Sequence, residues 1–281
     1  MKKVYYLYAW LLGWPFFYNF NKMIYALALR GLGIYNYYDN KISGEKWVIK
    51  NIIKNLGKGI IIFDVGANIG NYTRELVMSR IYFSKIYAFE PHPDTFYRLC
   101  SNVSRMKKVE PIMLALSDKD SEMMLFDRAG CTGTSHASFS KKIFSEIHHT
   151  GSNSTLVNVT TLDKFCSENN IESIDFLKID VEGFESFVLR GGVGLLGAFK
   201  IKVIQFEFTQ LNSVIGVFFK EFYDMLSDCY NIYRILPHGL ARIASYDPTI
   251  CEIFGYQNFI AIKKGLETKN EFWFPKRKGS D

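Results

Sequence analysis

The sequence predicts an α/β protein built on a doubly wound, mostly parallel sheet, and three observations support this. From residue 60 onwards, short apolar runs alternate with helical stretches, as they do in chains of strand–helix–strand units. The apolar runs are nearly continuous, which is typical of strands that helices cover on both faces. Near the C-terminus, the runs YNIYRIL and YQNFIAIK indicate two antiparallel strands.

The elements follow from these patterns in chain order. An amphipathic helix is expected over residues 47–56, and a helix after each strand completes the alternation. Pro93 and Asp94 open the second of these later helices. The predicted strands are 59–64, 86–90, 110–116, 174–180 and 202–208, with helices over 72–79, from 93, after 183 and around 218–226. Residues 122–159 predict only short strand-like and polar pieces.

Three segments are predicted: a helical appendage over residues 1–50, a main domain over 51–265 and a basic tail over 266–281. The appendage holds 14 of the 45 aromatic residues, and seven Lys or Arg against two Asp or Glu. Its first apolar run is interrupted by Pro15, short of the ~20 residues of a membrane-spanning helix. Two interpretations stay open: it docks on a membrane surface or membrane-bound partner, or it covers the core or a dimer contact.

Composition excludes several classes of function. The net charge of +6 over 281 residues is mild and gives no basic stripe for nucleic acid. The five cysteines form no CxxC pair and lie near no histidine at zinc spacing, so reduced, mostly buried thiols are expected. These features favour a cytoplasmic protein. Peripheral contact with the inner face of the membrane is a further expectation. A homo-oligomer is also a possible state.

The first strand runs into a glycine-rich turn, in the stretch IIFDVGANIGNYT. Gly66 permits a tight turn and Gly70 permits close packing of a helix. The glycines lie four residues apart, so the pattern is not the GxGxxG of a pyrophosphate-binding turn, which disfavours a nicotinamide-dependent oxidoreductase. Asp64 would repel phosphate but suits an ammonium, so a ligand with an amino-acid moiety is favoured.

The next two strand ends complete a predicted nucleoside site. Glu90, 20 residues after Gly70, is placed to accept hydrogen bonds from two ribose hydroxyls, although it could instead cap the helix at Pro93. Residues 115–118, the sequence ALSD, suit the face and edge of an adenine, although Asp118 could equally be a turn residue.

The fourth strand ends in LKIDVEG, where Lys178, Asp180 and Glu182 would alternate onto one side. Charged groups at a buried strand end are costly unless they are paired or used in chemistry. Asp180 is therefore a candidate functional residue, and Glu182 is either functional or a cap of the following helix.

Together, DVGANIGNY at 64–72, Glu90–Pro91, ALSD at 115–118, TLD at 161–163 and LKIDVEG resemble the FkbM family of S-adenosylmethionine-dependent methyltransferases, over roughly residues 60–210. The resemblance implies a class I methyltransferase fold, with a seven-stranded Rossmann-like sheet and an antiparallel final strand. It also implies O-methylation of hydroxyls on sugars, glycolipids or natural products. Residues 1–50 lie outside the resemblance.

The cofactor implied is S-adenosyl-L-methionine, with its methionine part at the glycine-rich turn and its ribose on Glu90. The predicted cofactor-binding residues are Asp64, Gly66, Asn68, Gly70, Asn71, Tyr72, Glu90, Pro91, Leu116, Ser117 and Asp118. A sugar hydroxyl is a weak nucleophile, so a general base is expected, and the candidates are Asp180, Glu182, Glu207 and His136. Asp180 with Glu182 or Glu207 could also hold one divalent ion such as Mg²⁺, but no spacing rule fixes a metal site.

The leading hypothesis is an O-methyltransferase acting on a sugar of a cell-surface glycan, a glycolipid or a related small molecule. An RNA ribose methyltransferase is the second enzymatic hypothesis, because Lys178, Asp180 and Glu207 resemble the Lys/Asp/Glu sets of such enzymes. A non-catalytic binding or scaffold protein on the same fold is the third, and the intact Asp64, Glu90 and Asp180 disfavour it.

Overall fold

A computed structural model of the protein describes residues 2–130, 134 and 137–266. The helices are α1 (Lys2–Leu12), α2 (Tyr18–Gly31), α3 (Glu45–Asn51), α4 (Asn71–Met78), α5 (Pro93–Val103), α6 (Lys141–Glu146), α7 (Leu162–Glu168), α8 (Glu185–Arg190), α9 (Val193–Gly197), α10 (Gln210–Ile215), α11 (Phe219–Leu226) and α12 (Pro248–Cys251). The strands are β1 (Ile60–Val65), β2 (Phe83–Phe89), β3 (Val109–Ile112), β4 (Ala115–Leu116), β5 (Ser121–Arg128), β6 (Ser152–Thr160), β7 (Ile174–Ile179), β8 (Ile201–Phe208), β9 (Tyr230–Leu236), β10 (Gly239–Ile243) and β11 (Gln257–Lys263).

The main sheet has the order β10-β9-β11-β8-β7-β1-β2-β3. Strands β3, β2, β1, β7 and β8 are parallel, and β11 pairs antiparallel with both β8 and β9. This confirms the class I methyltransferase fold and the antiparallel final strand. The described sheet has eight strands rather than seven, because β10 folds back on β9 and extends the edge.

A second sheet stands apart from the first, with the order β4-β6-β5. The single strand predicted over 110–116 is therefore wrong, because the chain leaves the main sheet after Ile112 and Ala115–Leu116 pairs with β6 instead. Pro111 is tolerated in β3, which is an edge strand. The pieces expected over 122–159 include a long antiparallel ribbon, β5 with β6. The sequence could not show this break, because a continuous apolar run has the same pattern whether it forms one strand or two.

The core lies on both faces of the main sheet. On one face, Phe63 and Phe89 pack with α7, α8 and α11. On the other face, Ile62 packs with α3 and α4. α11 buries Phe219, Phe222 and Leu226, which follow the spacing of one helical face. The helix predicted over 47–56 ends earlier, and α3 is followed by the 3-10 helix Ile53–Asn55.

The first 50 residues divide in their relation to this core. Ile34, Val48 and Ile49 are buried in it, whereas α1 has no buried residue. In the part of the chain that the structure describes, no helix is long and apolar enough to cross a membrane. The four described cysteines, at positions 100, 166, 229 and 251, carry free thiols.

Candidate active site

The carboxyl ends of the central strands bring polar side chains into one row. Asp64 on β1 lies beside Lys178 on β7, and Lys178 lies beside Gln205 on β8, as register partners in neighbouring strands. Register partners point to the same face of a sheet. Open α/β sheets bind ligands at this edge, so the row marks the candidate site.

The turn after β1 leaves no room for a side chain at Gly66. Its φ is +81°, and a Cβ built there would lie 1.8 Å from the carbonyl oxygen of Asp180. Its backbone N–H donates to the carbonyl of Phe89 at 3.0 Å, which ties β1 to β2. Glycine is required here, because the backbone runs in the left-handed region and also against its neighbour.

Gly70 begins α4 with a φ of +84°, and a Cβ there would lie 2.7 Å from Cδ1 of Leu99. Gly70 was predicted to let a helix pack close to the strand, and the side chain that packs against it is Leu99 of α5. Asn68 also has a left-handed φ of +51°, which asparagine tolerates better than most residues.

The carboxylate of Glu90 is held by two backbone N–H groups. Asn68 N donates to Oε2 at 3.1 Å, and His92 N donates to Oε1 at 2.9 Å. The side chain is buried, and burial raises the pKa of Glu90 to about 7 despite these two bonds. A carboxylate fixed at both oxygens keeps further lone pairs that accept hydroxyl donors.

A cavity opens beside Glu90, between the ends of β1, β2 and β7 and the β5–α6 loop. Its walls combine an apolar strip with polar strand ends. The lining residues are Val65, Gly66, Asn68, Phe89, Glu90, Pro91, Leu114, Ala115, Leu116, Leu125, Thr134, Ala137, Ser138, Phe139, Asp180, Val181 and Glu182. The cavity therefore suits a ligand with a flat apolar part and hydroxyl groups.

The predicted adenine-binding residues occupy different environments. Leu116 lines the cavity, whereas Ser117 is buried and Asp118 is exposed. A Cβ at Gly191 would lie 2.0 Å from the carbonyl of Ser117, so this backbone packs tightly against the residue that follows α8. Asp118 bonds locally with Ser117 at 3.3 Å, in keeping with its alternative interpretation as a turn residue.

A second cavity lies on the other side of the Gly66 turn. It is lined by Asn40, Glu45, Gly66, Ala67, Asn68, Asn71, Tyr72, Glu75, Lys178 and Asp180. Gly66, Asn68 and Asp180 line both cavities. The two cavities therefore adjoin at the Gly66 turn and Asp180.

Lys178 is the buried cation among the carboxylates. Its Nζ lies 2.8 Å from Oδ2 of Asp180 and 4.9 Å from the centre of the Tyr72 ring. Burial alone would lower the pKa of Lys178, but the Asp180, Asp64 and Glu45 carboxylates outweigh it and raise that pKa. The ammonium therefore stays charged and orients the carboxylate of Asp180.

Asp64 is fully buried, and burial raises its pKa although Lys178 opposes the shift. Oδ2 accepts a hydrogen bond from Thr73 Oγ1 at 2.5 Å. Among the described residues, Oδ1 has no hydrogen-bond partner. A buried acceptor left without a partner is costly. Asp64, the residue predicted to bind the ammonium, lines neither of the two cavities.

Glu207 and Glu45 complete the carboxylate cluster. Burial raises the pKa of Glu207 well above its ordinary value, and the nearby Asp180 carboxylate raises it further. Burial also raises the pKa of Glu45, whose Oε1 accepts from Nε2 of Gln205 at 3.4 Å. Tyr256 adjoins Glu207 and accepts a hydrogen bond from Nδ2 of Asn258 at 2.9 Å.

Glu182 lies beyond the end of β7, where the strand alternation ends, and its φ is +52°. Its carbonyl accepts a hydrogen bond from Oγ of Ser138 at 2.9 Å, which fastens the β5–α6 loop to the site. Phe184 is the N-cap of α8, and Glu185 Oε1 accepts from the N–H groups of Val181 and Gly183 in the turn before the helix. His136, in the same loop, lies outside the described residues.

No group of three or more His, Cys, Asp or Glu side chains is placed to hold a metal ion within the part of the chain that the structure describes. Asp180 is bonded to Lys178, so a cation occupies one of the carboxylates that a metal would need.

Several site residues were not predicted from the sequence. Asn40, Glu45 and Glu75 reach the second cavity, where Asn40 Nδ2 donates to Oε2 of Glu75 at 2.6 Å. Their only signal was a carboxylate beside the Ser43-Gly44 break, and nothing in the chain linked that break to β7. Conversely, the TLD stretch at 161–163 is structural, because Asp163 accepts from Gly194 N and Leu195 N.

Comparisons with known proteins agree with this geometry. The Methyltransferase FkbM domain matches residues 64–233, more than half of the chain. The hexuronic acid methyltransferase AglP of Haloferax volcanii is 26% identical over 165 residues, which cover 58% of this chain and 63% of that protein. The 2-O-methyltransferase NoeI of Sinorhizobium fredii is 27% identical over 139 residues, which cover 47% of this chain and 57% of that protein.

Among solved structures, methyltransferase FkbM from Methylobacillus flagellatus has a TM-score of 0.44 at 14% identity, and the match covers 73% of this chain and 43% of that one. A SAM-dependent O-methyltransferase from Thermotoga maritima has a TM-score of 0.38 at 13% identity, over 78% and 64% of the two chains. The matches to the two curated relatives thus span about three fifths of each relative's length.

Proposed function

The chain belongs to the FkbM family of methyltransferases, and we propose that it carries a methyl group from S-adenosylmethionine to a hydroxyl of a sugar. One observation carries the proposal. Asp180, held by a buried lysine, lines both the cavity beside Glu90 and a second, polar cavity. A group-transfer enzyme needs this arrangement, because donor and acceptor must meet in line at one point.

The first cavity fits the nucleoside part of the donor. Glu90 offers carboxylate oxygens to the two ribose hydroxyls, and Leu114, Ala115 and Leu116 offer an apolar wall to the adenine. The methionine part would follow the Gly66 turn, where a Cβ would fill the space that backbone and ligand need. When bound, the cofactor supplies a methyl group on a sulfonium, which is already activated for displacement.

The chain's own residues must then accept the proton of the acceptor hydroxyl. Methyl transfer forms a carbon–oxygen bond at the acceptor and breaks the carbon–sulfur bond of the donor, and the hydroxyl proton must leave. Asp180 is the proposed acceptor of that proton, since its side chain is 32% exposed and adjoins both cavities. Lys178 fixes its orientation and Glu207 is the alternative base, because both lie in the same cluster. General bases of this kind contribute about 10²–10⁴-fold to rate.

The sugar class of the acceptor rests on the relatives. One is named a hexuronic acid methyltransferase and the other a 2-O-methyltransferase. The second cavity is lined by amide, carboxylate and tyrosine groups, which are the partners that sugar hydroxyls use. A glycan, glycolipid or nucleotide-linked sugar is therefore the proposed acceptor.

Calorimetric titration with S-adenosylhomocysteine tests the donor site first. Wild-type protein is expected to bind with micromolar affinity, Glu90→Ala to bind at least tenfold more weakly, and NAD to give no signal. The matched control is Glu122→Ala, which removes an exposed carboxylate from β5. A folded protein that binds NAD but not S-adenosylhomocysteine would contradict the proposal.

Acceptor specificity needs a second assay with radiolabelled methyl donor. Hexuronates, nucleotide sugars and lipid-linked glycans are the expected acceptors, and an RNA of mixed sequence is the comparison. Methyl incorporation into RNA but into no sugar would overturn the acceptor class while leaving the methyltransferase assignment intact.

A further inference from the structure

Helices α1 and α2, called the hairpin below, are joined outside the core by two side-chain hydrogen bonds. Tyr8 Oη donates to Oδ1 of Asn21 at 2.6 Å, and Nδ2 of Asn21 donates to the carbonyl of Leu12 at 2.8 Å. α1 buries no residue and α2 buries only Leu29. The hairpin is thus tied together by polar bonds while its apolar side chains stay uncovered.

The uncovered surface is large and aromatic. Ten of the residues at positions 2–31 are Phe, Tyr or Trp. Phe16 is 88% exposed, and Trp10 and Trp14 are each 66% exposed. Proteins that stay monomeric in water rarely leave such a contiguous apolar surface open, so a surface of this kind marks an interaction site.

Charge identifies the partner. Residues 2–31 contain Lys2, Lys3, Lys22 and Arg30, and no Asp or Glu. A second copy of the hairpin would place four cations against four cations, which disfavours self-association. Trp and Tyr next to basic residues are typical of segments at the surface of a lipid bilayer, where anionic headgroups attract the cations.

The hairpin joins the core beside the candidate active site. After α2, Ile34 pairs with Gln257, and Tyr35 N donates to the carbonyl of Tyr256 at 2.7 Å. Tyr256 adjoins Glu207 of the carboxylate cluster, and Asn40 then lines the second cavity. The chain therefore leads from the hairpin directly along the acceptor side of the site.

We propose that the α1–α2 hairpin docks the protein on the surface of an anionic lipid bilayer, with the second cavity on the side that faces it. The helices have 11 and 14 residues, or about 16 and 21 Å at 1.5 Å per residue. Both are shorter than the hydrocarbon core of a bilayer, about 30 Å, so in this proposal they lie along the membrane surface. If the proposed function holds, the acceptor is a sugar carried on a lipid. The lipid contact itself does not depend on that function.

Vesicle flotation of the full chain tests the proposal, with phosphatidylcholine vesicles that contain or lack 30% phosphatidylglycerol. Flotation with the anionic vesicles, weakened by salt and much weaker with the neutral ones, is expected. Trp10→Ser/Trp14→Ser/Phe16→Ser should lower the partition coefficient at least tenfold. Lys2→Gln/Lys3→Gln/Lys22→Gln should lower it about fivefold for each removed cation.

The matched control is Met78→Ser/Tyr82→Ser/Tyr97→Ser, three exposed apolar residues outside the hairpin, which should leave flotation unchanged. Equal loss in this control, or no flotation of a protein that still binds S-adenosylhomocysteine, would overturn the proposal. A hairpin-dependent dimer by light scattering without vesicle binding would overturn it in favour of a second copy. Titration with S-adenosylhomocysteine reports on the proposed function separately, so the two failures are distinguishable.

Discussion

The two cavities are built in different ways, although they share the Gly66 turn. The first lies at the ends of β1, β2 and β7, and its other walls are the β3–β4 connection, β4, Leu125 of β5 and the β5–α6 loop. The second brings Asn40 and Glu45 from before β1 against Lys178 and Asp180 at the end of β7. Both cavities therefore join distant segments, but Glu90 on the donor side is held by its own turn, whereas Lys178 on the acceptor side is surrounded by side chains from elsewhere in the chain.

The charges differ in the same way. On the donor side, Glu90 is held by backbone N–H groups of its own and the preceding turn. On the acceptor side, the carboxylates of Asp180, Glu207 and Glu45 lie around Lys178. A backbone clamp tolerates changes of neighbouring side chains, but a cluster of buried charges redistributes its protons when any member changes. Substitutions on the two sides should thus affect different measurements.

The largest expected effect is on the acceptor side, from Asp180→Asn. Methyl transfer should fall by about 10²–10⁴-fold, because the amide cannot take the hydroxyl proton. Affinity for S-adenosylhomocysteine should change by less than about threefold, so kcat and donor binding separate. Initial rates with a sugar acceptor and calorimetric titration measure the two. Glu207→Gln is the comparison, and a larger loss there would make Glu207 the base.

Gly66→Ala should disrupt the turn that the two cavities share. Its Cβ would lie 1.8 Å from the carbonyl of Asp180, so β1 and β7 have to separate and both cavities change. The matched control is Gly59→Ala, at a φ of +72° with open space around it, which should cost only about 1–2 kcal/mol of unfolding free energy. Denaturant unfolding should show a cost at least about 1 kcal/mol larger for Gly66→Ala, together with at least tenfold weaker donor binding. Equal costs would mean that the turn is not closed against Asp180.

On the donor side, the affinity for S-adenosylhomocysteine should depend on pH. Burial raises the pKa of Glu90 to about 7, so the free protein holds a proton there below that pH and a carboxylate above it. Ribose hydroxyls donate to the carboxylate, so affinity for S-adenosylhomocysteine should be complete above pH 7 and about tenfold lower at pH 6. Titrations of wild type and Glu90→Gln at both pH values measure this. An unchanged pH dependence in Glu90→Gln would assign it to another group.

The smallest effect is expected from Glu45→Gln. Burial raises the pKa of Glu45, so the folded state retains its proton to higher pH than the unfolded state does, and stability falls as pH rises through that window. Glutamine resembles the protonated acid, so the change in unfolding free energy should stay below about 1 kcal/mol at pH 5. Relative to wild type, the variant should be more stable at pH 8 than at pH 5. Thermal unfolding of both proteins at the two pH values measures this. Glu45→Ala, which leaves Gln205 without its acceptor, should cost more at both.

The same division explains what could be predicted from the sequence. Gly66, Asn68 and Glu90 were predicted because strand periodicity and turn chemistry act over a few residues, and all three line the donor cavity. Ser117 and Asp118 did not fall in the cavity wall, because the chain changes sheets just before them, between β3 and β4. Glu45 could not be assigned, since its approach to Lys178 depends on packing between segments that are more than 100 residues apart.

The second sheet has a consequence for recombination between relatives. β4 and β6, which begin and end the segment 115–160, pair with each other in parallel, so the segment enters and leaves at one place. It carries its own ribbon and also part of the cavity wall, through Leu125 and Ser138. Chimeras joined at these two strands should exchange the segment as a unit, and calorimetric titration would show donor affinity travelling with it. Sequence changes within this segment would then alter binding of the methyl donor as well as the choice of acceptor.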